Sequence, residues 1–250
     1  MVEIVVVTAS TGAFPGLKEA LKEIPVLVEE HPLMTFAPPA DWALLDSALD
    51  RWTSYAAVAF TSPRAAAVVR ERLAGRSPRG ENIPEVWAGG AATRAALGEA
   101  VGPVLLPNEA DAVTLGAAEA LARAMLDAGV TGPVLFPCGD SRREELPERL
   151  RIRGVAVEEV VCYRSVLASE SVAHAAAARG TMLVVASPTV ASLLVRACAP
   201  NARPDLLAVG PTTAASARAS GWVPAAVASS PSAGALAAAV KDVLARRVVS

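Results

Sequence analysis

Hydroxyl side chains recur at matching places in two distant stretches of the chain. In each stretch one apolar run ends in Ser-Pro, at Ser62 and Ser187, and a second ends in a glycine turn followed by threonine, at Thr93 and at Thr212 and Thr213. A hydroxyl beside the free backbone N–H groups of a helix start can bind a carboxylate. The pattern therefore predicts anion-binding loops, and the correspondence of Thr93 with Thr213 favours this interpretation.

Helix capping explains the two serines equally well. A serine before a proline at the first helical position makes a favourable helix start, worth about 1 kcal/mol. Capping and binding are compatible, so both interpretations of Ser62 and Ser187 stay open. Ser141 followed by Glu144 likewise predicts a capping box at another helix.

Tyr163 is the candidate for acid chemistry. It follows a valine-rich run and is predicted to lie at the end of a strand. A phenol with the ordinary pKa of about 10 stays protonated at neutral pH and can donate a proton. The alternative is a tyrosine that covers the edge of a sheet with its hydroxyl in water.

A site for several carboxylates also needs cations, and guanidinium groups suit that task. Any single arginine is more often a solvated surface charge. Arg64 is the first candidate because it directly follows the Ser-Pro turn. The arginines near predicted loop ends are Arg64, Arg94, Arg142, Arg143 and Arg164.

Composition argues against several classes of protein. Three cysteines without paired spacing give little support to a disulfide framework. Two histidines are too few to favour a zinc site or a histidine-based triad. A net charge of −2 gives no general attraction to nucleic acid. Cys138, beside Gly139 in a predicted turn, has no histidine near it in sequence and is interpreted as a buried structural thiol. No apolar run reaches the roughly 18 residues of a membrane span, and the first residues lack signal-peptide features, so we expect a cytoplasmic protein.

Short apolar runs alternate with helical stretches along almost the whole chain, which is typical of parallel sheets covered by helices on both faces. Gly129 and Gly154 are expected to end helices. The predicted strands are 2–8, 25–29, 55–60, 84–88, 103–106, 132–136, 155–162, 181–186, 205–209 and 224–228. The predicted helices are 14–23, 41–51, 63–73, 91–99, 111–127, 142–153, 169–178, 188–197, 211–219 and 232–246. The repeat divides the chain near residue 130 and leaves open which body each leading β-α-β segment joins.

The segment from Leu135 to Ser165 resembles the most recognisable stretch of the uroporphyrinogen-III synthase family. That stretch is a strand, Pro-x-Gly, a basic pair, Leu-Pro-x-x-Leu, a glycine and a valine-rich strand that ends in tyrosine, here Tyr163. The runs 60–65 and 209–214 match two further family motifs, and 230–236 matches the start of the family's C-terminal helix. The matches follow the family's order and span almost the whole chain.

The resemblance implies an α/β fold of two similar domains with parallel sheets flanked by helices. The domains would be joined by a two-strand connector, with the active site in the cleft between them. The first, discontinuous domain would comprise residues 1–36 and 166–250, and the second residues 37–165.

The implied activity is that of a cyclising hydro-lyase that needs no cofactor and no metal. It would act on hydroxymethylbilane, a linear tetrapyrrole polycarboxylate, by loss of water, inversion of the last pyrrole ring and closure of the macrocycle to uroporphyrinogen III. Tyr163 would be catalytic. The implied substrate-binding residues are Thr61, Ser62, Arg64, Thr93, Gly139, Ser187, Thr212 and Thr213.

We expect a monomer whose partners are this substrate and, as a pathway neighbour, hydroxymethylbilane synthase, with no nucleic acid and no membrane. The alternative is a non-catalytic module of two α/β lobes that binds a tetrapyrrole or a small anion for regulation, since a fold alone does not decide function.

Overall fold

The computed structural model describes residues 2–76, 83–142 and 144–249. The strands in chain order are β1 (Glu3–Val7), β2 (Val26–Glu30), β3 (Met34–Ala37), β4 (Ala57–Phe60), β5 (Glu85–Ala88), β6 (Val104–Leu105), β7 (Val134–Gly139), β8 (Val157–Leu167), β9 (Met182–Val185), β10 (Asp205–Ala208) and β11 (Ala226–Val227). The helices are α1 (Leu17–Ala20), α2 (Ala43–Asp50), α3 (Pro63–Leu73), α4 (Ala91–Leu97), α5 (Glu109–Leu115), α6 (Ala117–Asp127), α7 (Glu145–Ile152), α8 (Glu170–Arg179), α9 (Pro188–Ala197), α10 (Pro211–Ala219) and α11 (Ala233–Val249).

The chain forms two compact units. Unit 1 comprises Met1–Thr35 with Val166–Ser250, and unit 2 comprises Phe36–Ser165. The chain passes from one unit to the other along β3 and back along β8. None of the described helices combines the length and the apolar character that crossing a bilayer requires.

Unit 1 is built on a five-stranded sheet in the order β11-β10-β9-β1-β2, with every pairing parallel. The interior strand β1 is buried on both faces: Val5 and Val7 pack into one apolar cluster and Val6 into another. This explains why the strand reads as an unbroken apolar run rather than an alternating one.

Unit 2 has the strand order β3-β8-β7-β4-β5-β6, and the four pairings from β8 to β6 are parallel. The interior strand β4 of this sheet is likewise covered on both sides. Val58 and Phe60 belong to one buried cluster, and Ala57 and Ala59 to the opposite one. The prediction of an α/β fold with two parallel-rich sheets flanked by helices is confirmed.

Apart from the edge strand β3 of unit 2, the two sheets share one strand order, which accounts for the repeat in the sequence. In unit 2, β4, β5 and β6 run outward on one side and β7 and β8 on the other; in unit 1, β9, β10 and β11 correspond to the first set and β1 and β2 to the second. The direction of winding therefore changes between β7 and β4, and between β1 and β9. Open α/β sheets bind ligands at the carboxyl ends of strands beside such a switch point.

Four sequence predictions of local structure need correction. The strand β3 was not predicted, and the predicted helix 14–23 contains a single helical turn, α1. The predicted helix 111–127 is two helices, because Gly116 adopts φ +90° between α5 and α6. The capping box is also wrong: α7 starts after Glu144, and the Ser141 hydroxyl donates to Asp140 Oδ1 at 3.4 Å. Gly129 and Gly154 do follow helix ends, both with positive φ.

Candidate functional site

A cavity of about 320 Å³ lies in unit 2 at the carboxyl ends of β4 and β7, the strands on either side of its switch point. Its polar lining includes Thr61, Ser62, Ser141, Arg142 and the phenol of Tyr163. Its apolar lining is Ala117, Ala118, Phe136, Cys138, Gly139 and Leu146.

Two hydroxyl groups meet at this cavity. The Tyr163 Oη lies 3.2 Å from Ser62 Oγ, and either atom can be the donor. Ser62 Oγ also accepts a hydrogen bond from the Ala65 amide at 3.4 Å, so it caps α3 as the sequence predicted. The same serine thus fixes a helix start and contacts the phenol.

A register shift between β7 and β8 places Tyr163 over Gly139. Cys138 pairs with Val161 and Gly139 with Tyr163, so Cys162 has no partner in the register. Such an irregularity re-aims the side chains that follow it. A Cβ at position 139 would lie 2.6 Å from Tyr163 Cε2 and Cζ, which means that the ring needs a glycine beneath it.

Burial raises the pKa of the Tyr163 phenol above its ordinary value. The hydrogen bond with Ser62 and the positive charge of Arg64 act in the opposite direction, and burial prevails. The phenol is therefore protonated at neutral pH and available as a proton donor.

Arg64 stands beside this pair on an aromatic ring. Its Cζ lies 3.7 Å from the centroid of Phe36 and 6.0 Å from that of Tyr163. Phe36 in turn meets Tyr163 edge to face, with ring centroids 5.7 Å apart and an interplanar angle of 79°. Among the residues that the structure describes, no carboxylate forms an ion pair with Arg64. The guanidinium is exposed and its N–H groups are available to an anion.

The other candidate arginines have different surroundings. Arg142 lines the cavity but is paired with Glu159 and with Glu144, the latter at 3.3 Å. Arg164 donates through Nε to the carbonyl of Pro38 at 2.9 Å, and Arg94 is exposed on α4. Arg143 lies outside the described residues.

Thr61 and Thr93 follow neighbouring strands of unit 2. Thr61 is exposed and lines the cavity, whereas Thr93 is buried in the first turn of α4 and does not line it. The Gly89 amide donates to the Phe60 carbonyl at 2.8 Å, which joins the loop before Thr93 to the end of β4.

Ser187, Thr212 and Thr213 belong to unit 1, where they follow the adjacent strands β9 and β10. Thr212 is exposed and Thr213 is buried. Ser187 occupies the N-cap position of α9 before Pro188, as the sequence predicted, but its side chain accepts no hydrogen bond from the start of the helix, so the prediction of a capping hydroxyl is wrong. Its hydroxyl is not committed to the helix as that of Ser62 is.

Cys138 lines the cavity as a neutral thiol. Burial raises its pKa to about 12, and the same cause raises that of Cys162 to about 12. A thiol is nucleophilic only as the thiolate, so these environments favour the structural interpretation. Within the described ranges no group of three or more histidine, cysteine, aspartate or glutamate side chains is arranged to hold a metal ion.

Phe36 is the member of this cluster that the sequence did not reveal. It lies on β3, a short strand that was itself not predicted. A signal that would have found it is its place two residues before Pro38, because a proline favours an extended chain at the residue directly before it, here Ala37 of the same strand.

Comparison with known proteins points to one family. A family model described as uroporphyrinogen-III synthase HemD matches residues 16–238. A mutant uroporphyrinogen III synthase from Thermus thermophilus is similar in structure, with a TM-score of 0.66, 17% sequence identity and coverage of 98% of this chain and 99% of that one. Uroporphyrinogen-III synthetase from Helicobacter pylori gives a TM-score of 0.64 at 20% identity, with the same coverages. Among curated proteins, none is similar enough to count as a match.

Proposed function

The chain belongs to the uroporphyrinogen-III synthase HemD family, and we propose that it converts hydroxymethylbilane to uroporphyrinogen III. The reaction is a loss of water with inversion of the last pyrrole ring and closure of the macrocycle. The observation that carries the proposal is the hydroxyl pair of Tyr163 and Ser62 at the switch-point cavity of unit 2. The pair offers a proton donor where a ligand of this fold class binds.

Tyr163 is the proposed general acid. Its phenol donates a proton to the terminal hydroxyl of the substrate, which leaves as water while the pyrrole nitrogen supplies electrons and an azafulvene-like chain remains. Ser62 donates a hydrogen bond to the phenolate oxygen that forms. Closure of the ring releases a proton from a pyrrole carbon, and return of a proton to the phenolate restores Tyr163. General-acid catalysis of this kind contributes roughly 10²–10⁴-fold.

Arg64 and the start of α3 are the proposed anion-binding groups of unit 2. The exposed guanidinium has no carboxylate partner among the described residues, and α3 begins at Pro63, so the positive end of its dipole lies at the carboxyl edge of the sheet. Charge-assisted contacts to a carboxylate are stronger than neutral ones. We propose further substrate contacts for Thr61, Thr93, Gly139, Ser187, Thr212 and Thr213.

Positioning is the main task that this set of residues can perform. The azafulvene-like intermediate is already reactive, so the isomer formed depends on which carbon is held near it. Hydroxyls, backbone amides and the guanidinium of Arg64 suit such a role, because an oriented intramolecular reaction gains several kcal/mol from geometry, up to about 11 kcal/mol.

The test is the isomer formed from freshly prepared hydroxymethylbilane. We expect type III product in excess, measured by separation of the oxidised porphyrins. The same incubation without protein supplies the spontaneous type I product as control. A wild-type incubation that yields only type I would refute the synthase activity and would favour the regulatory binding module.

A further inference from the structure

We infer that Phe36 is a positioning residue that holds the guanidinium of Arg64 and the phenol of Tyr163 in a fixed relation to each other. The inference rests on the proposed function, which supplies the reaction in which that relation counts. The single ring contacts both groups: Arg64 lies over its face, and Tyr163 meets it edge to face.

The contact with Arg64 is closer than the usual limit for a cation over an aromatic ring. The distance of 3.7 Å from Cζ to the centroid lies well inside the roughly 6 Å limit for such attraction. A carboxylate partner would hold the arginine but occupy its N–H donors. The face of Phe36 holds it from the flat side and leaves the donors in the plane of the guanidinium free.

The contact with Tyr163 adds to the packing around that ring. Gly139 lies beneath it, Ser62 binds its hydroxyl, and Phe36 approaches it at 79°. Edge-to-face pairs with centroids within about 7 Å are favourable geometries for aromatic rings. Movement of the Phe36 ring would therefore alter both the anion-binding group and the proton donor.

A purely structural role explains Phe36 poorly. The ring is partly exposed on the four-residue strand β3, whereas Phe60 and Phe136 are fully buried in the apolar clusters of unit 2. The described contacts of its ring are with Arg64 and Tyr163 of the candidate site.

Kinetics of Phe36→Leu, which keeps an apolar side chain and removes the ring, is the first test. We expect kcat/KM for type III product to fall about threefold to tenfold, mostly through a higher KM, since both ring contacts are individually modest. Phe36→Tyr keeps the ring, so its kcat/KM should stay within about twofold of the wild-type value. Phe14→Leu, a matched loss of a ring that packs in unit 1, should leave kcat/KM unchanged.

A double-mutant cycle separates positioning from general packing. In an Arg64→Ala background, Phe36→Leu should lower kcat/KM less than in the wild-type background, because one of the two groups that it positions is gone. An equal loss in both backgrounds, or wild-type kinetics for Phe36→Leu, would overturn the inference.

A structural measurement keeps the inference testable apart from the synthase activity. Crystal structures of wild type and Phe36→Leu should show Arg64 Cζ displaced by more than about 1 Å, or disordered, in the variant, because the side chain is then free to adopt other staggered rotamers. An unchanged Arg64 would refute the positioning role. A wild-type protein that forms only type I product would instead refute the proposed function, and the crystal structures would still decide the role of Phe36.

Discussion

Gly139 and Tyr163 face each other across β7 and β8 so closely that position 139 has no room for a side chain. A Cβ there would lie 2.6 Å from two ring carbons of Tyr163 and 2.8 Å from its hydroxyl oxygen. The register shift after Cys138 creates this contact, because it brings Tyr163 opposite Gly139 in place of Cys162. The proposed proton donor is thus located by a backbone feature of the neighbouring strand.

Gly139→Ala is therefore expected to displace the Tyr163 ring while the sheet remains folded. A displacement of about 1 Å at a reacting group can cost around 10²-fold, so we expect kcat for type III product to fall by that order. The measurement is steady-state kinetics alongside thermal unfolding.

Gly234→Ala is the matched control for that substitution. Gly234 lies in α11, and nothing stands within 4 Å of a Cβ added there, so this variant should keep wild-type kcat. Wild-type kcat for Gly139→Ala itself would show that the position of the ring does not govern the reaction.

Tyr163→Phe removes one oxygen atom and leaves the packing of the ring in place. We expect kcat to fall roughly 10²–10⁴-fold, the usual worth of a general acid. Tyr55→Phe removes the chain's other phenolic hydroxyl, which donates to Glu158 at 2.8 Å and does not line the cavity. That control should retain wild-type kcat. Equal kcat values for Tyr163→Phe and wild type would remove Tyr163 from the mechanism.

Much of the fold could be predicted from the sequence because the sheets are covered on both faces. Runs such as Val58–Phe60 and Leu183–Val185 are apolar at every residue, and turns rich in glycine, proline and serine bound them. The strand β3 was not predicted because its four residues, which lie between Pro32 and Pro38, give too short a pattern. Its pairing depends on the extension of β8 to Leu167, which the sequence does not mark.

The candidate site was less accessible to sequence reasoning than the fold. Ser62, Gly139 and Tyr163 could each be selected from their motifs, but their contact depends on the register shift between β7 and β8. The stacking of Arg64 on Phe36 depends on the directions of two side chains from distant parts of the chain. Neither relation produces a periodic pattern in the sequence from which it could be predicted.

Ser62→Ala and Ser187→Ala should differ in stability although their sequence contexts match. Ser62 Oγ accepts from the Ala65 amide, so its loss should cost about 1 kcal/mol in free energy of unfolding. The Ser187 side chain makes no cap, and its loss should cost less than about 0.5 kcal/mol. Urea denaturation at equilibrium measures both values. Equal losses would contradict the difference in capping that the two helix starts display.

The pH dependence of type III formation should report the phenol of Tyr163. Burial raises its pKa, so the protonated donor persists to higher pH than an ordinary tyrosine, and kcat should fall only above about pH 10. Arg64 acts to lower that pKa, so the basic limb should move to still higher pH in Arg64→Ala. In Tyr163→Phe the residual rate should lack the limb.

Rates measured across pH 7–11, with the spontaneous type I product subtracted, provide the test. A limb that begins below about pH 9 and persists in Tyr163→Phe would assign the essential proton to a different group, because a buried phenol cannot release its proton so early.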